Sequence, residues 1–128
     1  MLRHILFCLC FLTVDLVYIL WLSRGFYAAA ARRVSGRDLP GGRLADAAVA
    51  YGLLLGGFLA FVPALAARPG WGLATAGAAY GLVVYGVFNA TNRALFGEWG
   101  VGVSVRDTAW GTAIGAAMGV LYGRVVGV

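Results

Sequence analysis

Two aspartates stand inside otherwise apolar stretches of the chain, in the sequences DLVY and DTAW. Asp15 is followed three residues later by Tyr18, and Asp107 is followed at the same spacing by Trp110. A step of three places both members of each pair on one face of a helix. An aspartate at the centre of a membrane helix costs about 2.5 to 3.5 kcal/mol on insertion scales, and such residues face the protein interior and mark functional sites. The two pairs are therefore candidates for holding a proton, a cation or a small polar ligand.

A third polar group lies between these pairs, in the sequence NATNR at residues 89–93. Steps of three and four place Tyr85, Asn89, Asn92 and Arg93 in one stripe along a helix. The stripe offers a phenol, two amides and a guanidinium, so Arg93 could pair with either aspartate. The complete candidate site comprises Asp15, Tyr18, Tyr85, Asn89, Thr91, Asn92, Arg93, Asp107, Trp110 and Thr112.

Several of these residues also have a simpler interpretation. An acid such as Asp107 in the first turn of a helix complements the helix dipole and can be solvated. Asn89 and Asn92 could satisfy the last carbonyl groups of their own helix. Taken one at a time, these residues fit a functional site and a purely local structural role equally well.

The composition places the candidate site in a membrane protein. The 128 residues are 62% hydrophobic and only 12% charged, with a mean hydropathy of +0.86, which is outside the usual range of soluble domains. Four apolar segments, at about residues 5–22, 44–67, 71–92 and 103–127, are each long enough to cross a hydrocarbon core of about 30 Å. We predict an all-α polytopic membrane protein, a compact four-transmembrane-helix bundle that forms a single domain over residues 1–128.

The sequence also predicts local structure in and between the apolar segments. The first segment could be a secretory signal, but its length and Asp15 favour a retained span. In the basic loop 23–43, the sequence YAAAARR predicts a short interfacial helix and SGRDLPGG predicts a turn. Pro63 predicts a kink or an end of the second helix, and RPG predicts a tight turn after it.

The arginines are unevenly distributed between the two ends of the predicted bundle. When Arg106 is counted with loop three and Arg124 with the C-terminus, loops one and three carry seven of the ten arginines, whereas loop two and the termini carry three. The positive-inside rule then places loops 23–43 and 93–102 in the cytoplasm and both termini outside. We expect this charge to contact lipid headgroups of the bilayer, and we expect no nucleic-acid partner. With loops one and three on one side, Asp15, Asn89 and Asp107 fall in the same half of the membrane.

Glycine recurs at a spacing of four in the last segment, at Gly111, Gly115, Gly119 and Gly123. Such a ridge lets another helix backbone approach closely, which stabilises helix pairs in lipid. We predict that it packs the bundle or joins two copies in a homodimer. The single histidine leaves no ligand set for a metal centre, and no cofactor is predicted.

The chain resembles domain-of-unknown-function family 2177 (DUF2177), a family of predicted bacterial membrane proteins. The resemblance rests on DLVY, the Phe26–Tyr27 pair, FVPAL, YGVFNATNRALFGEW and RDTAWGT, where the family patterns are similar to DLxW, YGxYDxTNxATLxxW and DxxWGT. Tyr18 replaces the usual tryptophan, and Asn89 replaces a frequent aspartate. The resemblance implies four spans in a bacterial cytoplasmic membrane and brings no established activity.

Three functions compete at this point. A carrier or binder would hold a proton, a cation or an unknown small polar ligand in the polar cluster. A structural or accessory protein would use the same residues and the glycine ridge for packing or partner assembly. An intramembrane enzyme would use Asp15 and Asp107 as an acid and base pair on a lipid-like substrate; this is the least favoured interpretation, because no nucleophile or cofactor motif accompanies them.

Overall fold

The computed structural model describes residues 1–36 and 43–128, and these residues are helical apart from short connections. In chain order the helices are α1 (Leu2–Val17), α2 (Arg24–Ser35), α3 (Leu44–Ala66), α4 (Leu73–Leu95) and α5 (Val101–Tyr122). The chain continues from α1 into a π-helical turn at Tyr18–Leu22 and from α5 into another at Gly123–Gly127. The predicted all-α fold is confirmed.

The long helices have the length and composition of membrane spans. Among the described residues, three helices are apolar enough to cross a membrane: Leu2–Leu22, Leu44–Ala66 and Leu73–Leu95, with mean hydropathies of 2.5, 2.0 and 1.3. Helix α5 has 22 residues and is therefore about 33 Å long at 1.5 Å per residue. It packs along α4 as the fourth long helix of the bundle.

Helices α4 and α5 approach each other through glycines on both sides. A Cβ atom added at Gly81 would lie 1.9 Å from the carbonyl oxygen of Gly111, and one at Gly77 would lie 2.0 Å from that of Gly115. Gly119 is in equally close contact with the backbone at the start of α4. Because these neighbours are backbone atoms, a side chain could be accommodated only by separating the helices.

Helix α3 contacts α4 at one glycine and leaves two others open. A Cβ atom added at Gly57 would lie 2.3 Å from the hydroxyl oxygen of Tyr80, whose hydroxyl donates to the Leu54 carbonyl at 2.9 Å. At Gly52 and Gly56, by contrast, an added Cβ atom would meet nothing within 4 Å. The glycines of α3 therefore belong to two different environments.

The end of the bundle that holds both termini has an aromatic core. The ring of Phe7 in α1 lies 5.3 Å from that of Phe58 in α3 and 5.2 Å from that of Tyr122 in α5, between ring centroids. Tilted and edge-to-face arrangements at these distances are favourable for aromatic pairs. The side chain of Arg3 donates to the Val126 carbonyl at 3.3 Å and connects the first helix to the chain end.

A tight turn joins α3 to α4. Helix α3 continues three residues past Pro63 and ends at Ala66, so the proline does not stop it. In the RPG sequence the Trp71 amide donates to the Arg68 carbonyl at 3.1 Å. Gly70 has a φ of 82°, which a residue without a Cβ atom adopts readily. The sequence forms the turn that was predicted from it.

The short helix α2 closes the opposite end of the bundle. It contains the YAAAARR sequence, as predicted, and ends at Ser35. The following Gly36 has a left-handed conformation with φ of 68°, and its amide donates to the Arg32 carbonyl. Its Tyr27 side chain contacts Asp107 of α5. Loops one and three therefore meet at one end. The remainder of the turn predicted from SGRDLPGG, residues 37–42, lies outside the described residues.

We expect Gly81→Ala to destabilise the protein, because its methyl group would be forced against the Gly111 carbonyl. Overpacking of this kind costs about 1 to 3 kcal/mol. The measurement is the thermal unfolding midpoint of the purified protein in detergent. Gly52→Ala is the matched control, since it adds the same methyl group where nothing lies within 4 Å. Equal midpoints for the two variants would contradict the close α4–α5 contact.

Candidate functional site

Asp15 lies in the last turns of α1 and is only 2% exposed. Its carboxylate accepts three hydrogen bonds from three different helices. The Tyr51 hydroxyl of α3 donates at 3.0 Å, the Tyr85 hydroxyl of α4 at 3.2 Å, and the indole N–H of Trp110 in α5 at 2.8 Å. Asp15 is thus the point at which all four long helices meet.

Asp107 lies in the second turn of α5 and is 4% exposed. Its carboxylate accepts a hydrogen bond from the Tyr27 hydroxyl of α2 and another from the side-chain amide of Asn89 in α4, the latter at 2.6 Å. This position does not support a solvated acid in the first turn of a helix. Asp107 instead connects α2, α4 and α5.

Asn89 links the surroundings of the two carboxylates. Its side-chain N–H group donates to Asp107 and to the backbone carbonyl of Tyr85 at 2.9 Å, and its side-chain oxygen accepts from the indole N–H of Trp99 at 3.0 Å. Tyr85 in turn donates to Asp15. Because α4 continues to Leu95, Asn89 does not act as a cap for the end of the helix.

Both carboxylates line a single cavity of about 420 Å³. This volume is in the range of small-molecule sites. The cavity lies between α1, α3, α4 and the α2–α5 contact, and Ala50 and Phe88 of its wall are exposed at the protein surface. Aromatic rings form much of the remaining wall, and they come from Tyr27, Tyr51, Tyr85, Phe88 and Trp99.

All side-chain donors that reach the two carboxylates from the described residues are neutral. They are phenols, an indole and an amide. No ion pair within residues 1–36 and 43–128 joins Asp15 or Asp107 to a basic side chain. The site therefore combines two buried acids with neutral hydrogen-bond donors and with no ion-paired basic side chain from the described part of the protein.

The chain matches the family model described as "Predicted membrane protein (DUF2177)" over residues 1–123. The chain belongs to the DUF2177 family. The matched range includes both carboxylates and every residue that hydrogen-bonds to them. No curated protein and no solved structure is found to be similar to it.

In this DUF2177 protein, Arg106 supports the site from outside. Its guanidinium donates to the Tyr18 hydroxyl at 3.3 Å and to the Ser23 hydroxyl at 3.1 Å, and lies 4.5 Å from the centre of the Phe26 ring. The Tyr18 ring stacks on Trp110 with centroids 3.7 Å apart. Because Trp110 donates to Asp15, this stack holds the indole in the orientation that the hydrogen bond requires.

The structure brings together six of the residues proposed from the sequence: Asp15, Tyr18, Tyr85, Asn89, Asp107 and Trp110. The other four lie elsewhere. Thr91 and Arg93 are exposed, Asn92 is partly buried, and Thr112 donates to the Thr108 carbonyl within α5 at 2.8 Å. Arg93 forms no ion pair with either aspartate; it lines a separate groove between α4 and α5 together with Thr112.

Three residues of the network were absent from the sequence-based site: Tyr27, Tyr51 and Trp99. Tyr27 and Trp99 belong to the motifs that carry the family resemblance, and this was the available signal for them. Tyr51 stands in an apolar helix without a neighbouring polar residue, so neither periodicity nor spacing distinguished it from a core aromatic.

The hydrogen bond between Tyr27 and Asp107 should make stability depend on alkaline pH. Burial raises the pKa of Tyr27, which lies outside the membrane-spanning helices, and the hydrogen bond to Asp107 raises it further. The unfolded chain loses this proton near about pH 10, whereas the folded chain retains it to higher pH. Because the unfolded state then binds fewer protons, the stabilisation is complete below about pH 10 and is lost as the pH rises above it.

The measurement is the difference in thermal midpoint between the natural protein and Tyr27→Phe at increasing pH. We expect a constant advantage for the natural protein up to about pH 9 and a shrinking one above about pH 10. Comparison with Tyr27→Phe cancels the contributions of the other tyrosines. A difference that stays constant at alkaline pH would contradict the assigned hydrogen bond.

Asn89 and Asn92 provide a matched pair of substitutions three residues apart on α4. Asn89→Leu removes a donor to Asp107 and the acceptor of the Trp99 indole, and each buried group left unsatisfied costs about 1 to 3 kcal/mol. Asn92→Leu lies outside this network and should change stability by less than about 0.5 kcal/mol. Chemical denaturation in detergent measures both. Equal losses of stability in the two variants would contradict the hydrogen-bond network assigned to Asn89.

Proposed function

We propose that this membrane protein binds and carries a proton or another small cation in the cavity between Asp15 and Asp107. The observation that supports this function is the absence of an ion pair between a basic side chain and either buried carboxylate in the described part of the chain. Ionisable groups within membrane spans commonly mark ion paths and proton relays.

Electrostatics supports an exchangeable cation at this site. Transferring an unpaired carboxylate into a low-dielectric interior is costly, and neutral donors offset only part of that cost. Two carboxylates on one cavity also repel each other when both are ionised. A bound proton or cation removes both penalties, and its departure restores them, so occupancy can be reversible.

The arginine distribution supports an orientation for this function. Under the positive-inside rule, loops 23–43 and 93–102 face the cytoplasm and both termini lie outside. The proposed site then lies in the cytoplasmic half of a bacterial cytoplasmic membrane. A ligand would reach Asp107 and Tyr27 from the cytoplasmic side, past α2.

A structural role is the second candidate, and one observation favours it. Every buried side-chain nitrogen and oxygen among the described residues has a hydrogen-bond partner, as expected for a network that locks helices together. Average interhelical hydrogen bonds in membranes contribute only about 0.6 kcal/mol each. The stability gained from such hydrogen bonds is therefore small compared with the free-energy cost of burying two carboxylates.

Infrared difference spectroscopy of the protein in lipid bilayers tests the cation function. We expect carboxyl bands that change reversibly when the pH or the sodium concentration of the buffer is cycled. These bands should be lost in part in Asp15→Asn and in Asp107→Asn, because each removes one carboxylate of the site. Asp46→Asn is the matched control, since Asp46 is an exposed acid at the start of α3.

Two outcomes separate the candidates. Bands that respond to pH or sodium and depend on Asp15 or Asp107 support the cation site. Spectra that are the same in the natural protein and in both site variants reject it. The structural role is favoured instead if those variants also lower the yield of assembled protein while Asp46→Asn does not.

A further inference from the structure

The walls of the cavity differ from those of a site built for a metal ion. Ca²⁺ takes six to eight oxygen ligands, and Mg²⁺ requires octahedral geometry and gives up its waters reluctantly. Within the part of the chain that the structure describes, no group of three or more His, Cys, Asp or Glu residues is close enough to hold a metal ion. Ile19, Leu54 and Val84 add aliphatic surface to the wall. A strongly hydrated inorganic ion would lose its water here without gaining equivalent ligands.

The aromatic rings of the wall suit a different kind of cation. Five rings border the cavity, from Tyr27, Tyr51, Tyr85, Phe88 and Trp99. The faces of such rings attract cations, and the attraction increases when the pair is removed from water. Quaternary ammonium groups are recognised in this way, because their alkyl surface contacts the rings while the charge is attracted by the π systems.

The carboxylates complete the recognition without forming a metal-like shell. Asp15 and Asp107 supply negative charge, and each of their oxygens already accepts at least one hydrogen bond from a protein donor. A ligand with strong N–H donors is therefore not required. In an alkylammonium ion the charge lies beneath alkyl groups. Such an ion contacts the aromatic and aliphatic wall, and the two carboxylates attract its charge without a direct hydrogen bond.

We infer that the cavity between Asp15 and Asp107 binds a small monovalent organic cation, of the alkylammonium class, against its aromatic wall. This inference rests on the proposed cation function and specifies its ligand class. Ala50 and Phe88 of the wall are exposed, so one side of the cavity is accessible from the protein surface.

The first experiment compares a charged ligand with its neutral isostere, using the natural protein in lipid nanodiscs. Choline and 3,3-dimethyl-1-butanol have nearly the same shape, and they differ by the positive charge. Isothermal titration calorimetry should show saturable binding of choline and of the larger tetraethylammonium. The neutral alcohol should bind at least about tenfold more weakly, because it lacks the cation–π and carboxylate attractions.

The second experiment separates the ring of Tyr51 from its hydroxyl group. Tyr51→Phe removes the hydrogen bond to Asp15 but keeps the ring, and tetraethylammonium binding should stay within about threefold of the natural protein. Tyr51→Leu removes the ring, and binding should weaken by about tenfold. Phe61→Leu is the control for loss of an aromatic ring, because Phe61 is exposed on α3 and lies outside this cavity.

The outcomes distinguish failure of this inference from failure of the proposed function. Equal binding of choline and the neutral alcohol, or equal effects of Tyr51→Leu and Phe61→Leu, would overturn the organic-cation inference. If no alkylammonium binds while the Asp15-dependent infrared bands respond to pH or sodium, the cation function stands and the ligand class is wrong. If neither response is found, both proposals fail.

Discussion

The close contact between the glycine faces of α4 and α5 determines where the polar groups of this protein can meet. Gly77 and Gly81 lie directly against the backbone of Gly115 and Gly111. Beyond this contact, toward loop three, Asn89 of α4 reaches Asp107 of α5 across the same helix pair. In lipid, where burial of apolar surface does not favour one helix pair over another, such backbone contact is a main source of specific association.

The bundle is divided into two chemically different ends. Near the termini, Phe7, Phe58 and Tyr122 form an aromatic core, which needs no charge or water. Toward loops one and three, the core is replaced by carboxylates, phenols and indoles around a cavity. One end therefore holds the helices together by packing, while the other end encloses a cavity lined by both carboxylates.

At the polar end, the buried carboxylates accept several hydrogen bonds, but their charge is not balanced by an ion pair among the described residues. Tyr51, Tyr85 and Trp110 provide three donors to Asp15, so the geometry of the carboxylate is well defined. Neutral donors orient a carboxylate but do not neutralise it. At this end the carboxylates are therefore well supplied with hydrogen bonds, while no ion pair among the described residues offsets their charge.

The sequence by itself determined the helical membrane class and the short α2, because hydropathy and local composition depend on the chain alone. It also identified Asp15, Asn89 and Asp107 as polar residues in apolar surroundings. Only the tertiary structure decided their partners: Tyr51 joins the site from an otherwise apolar helix, while Arg93 turns outward and Arg106 holds Tyr18. The physical reason is that residue spacing sets directions within one helix, whereas the rotation of each helix about its axis is set by packing against its neighbours.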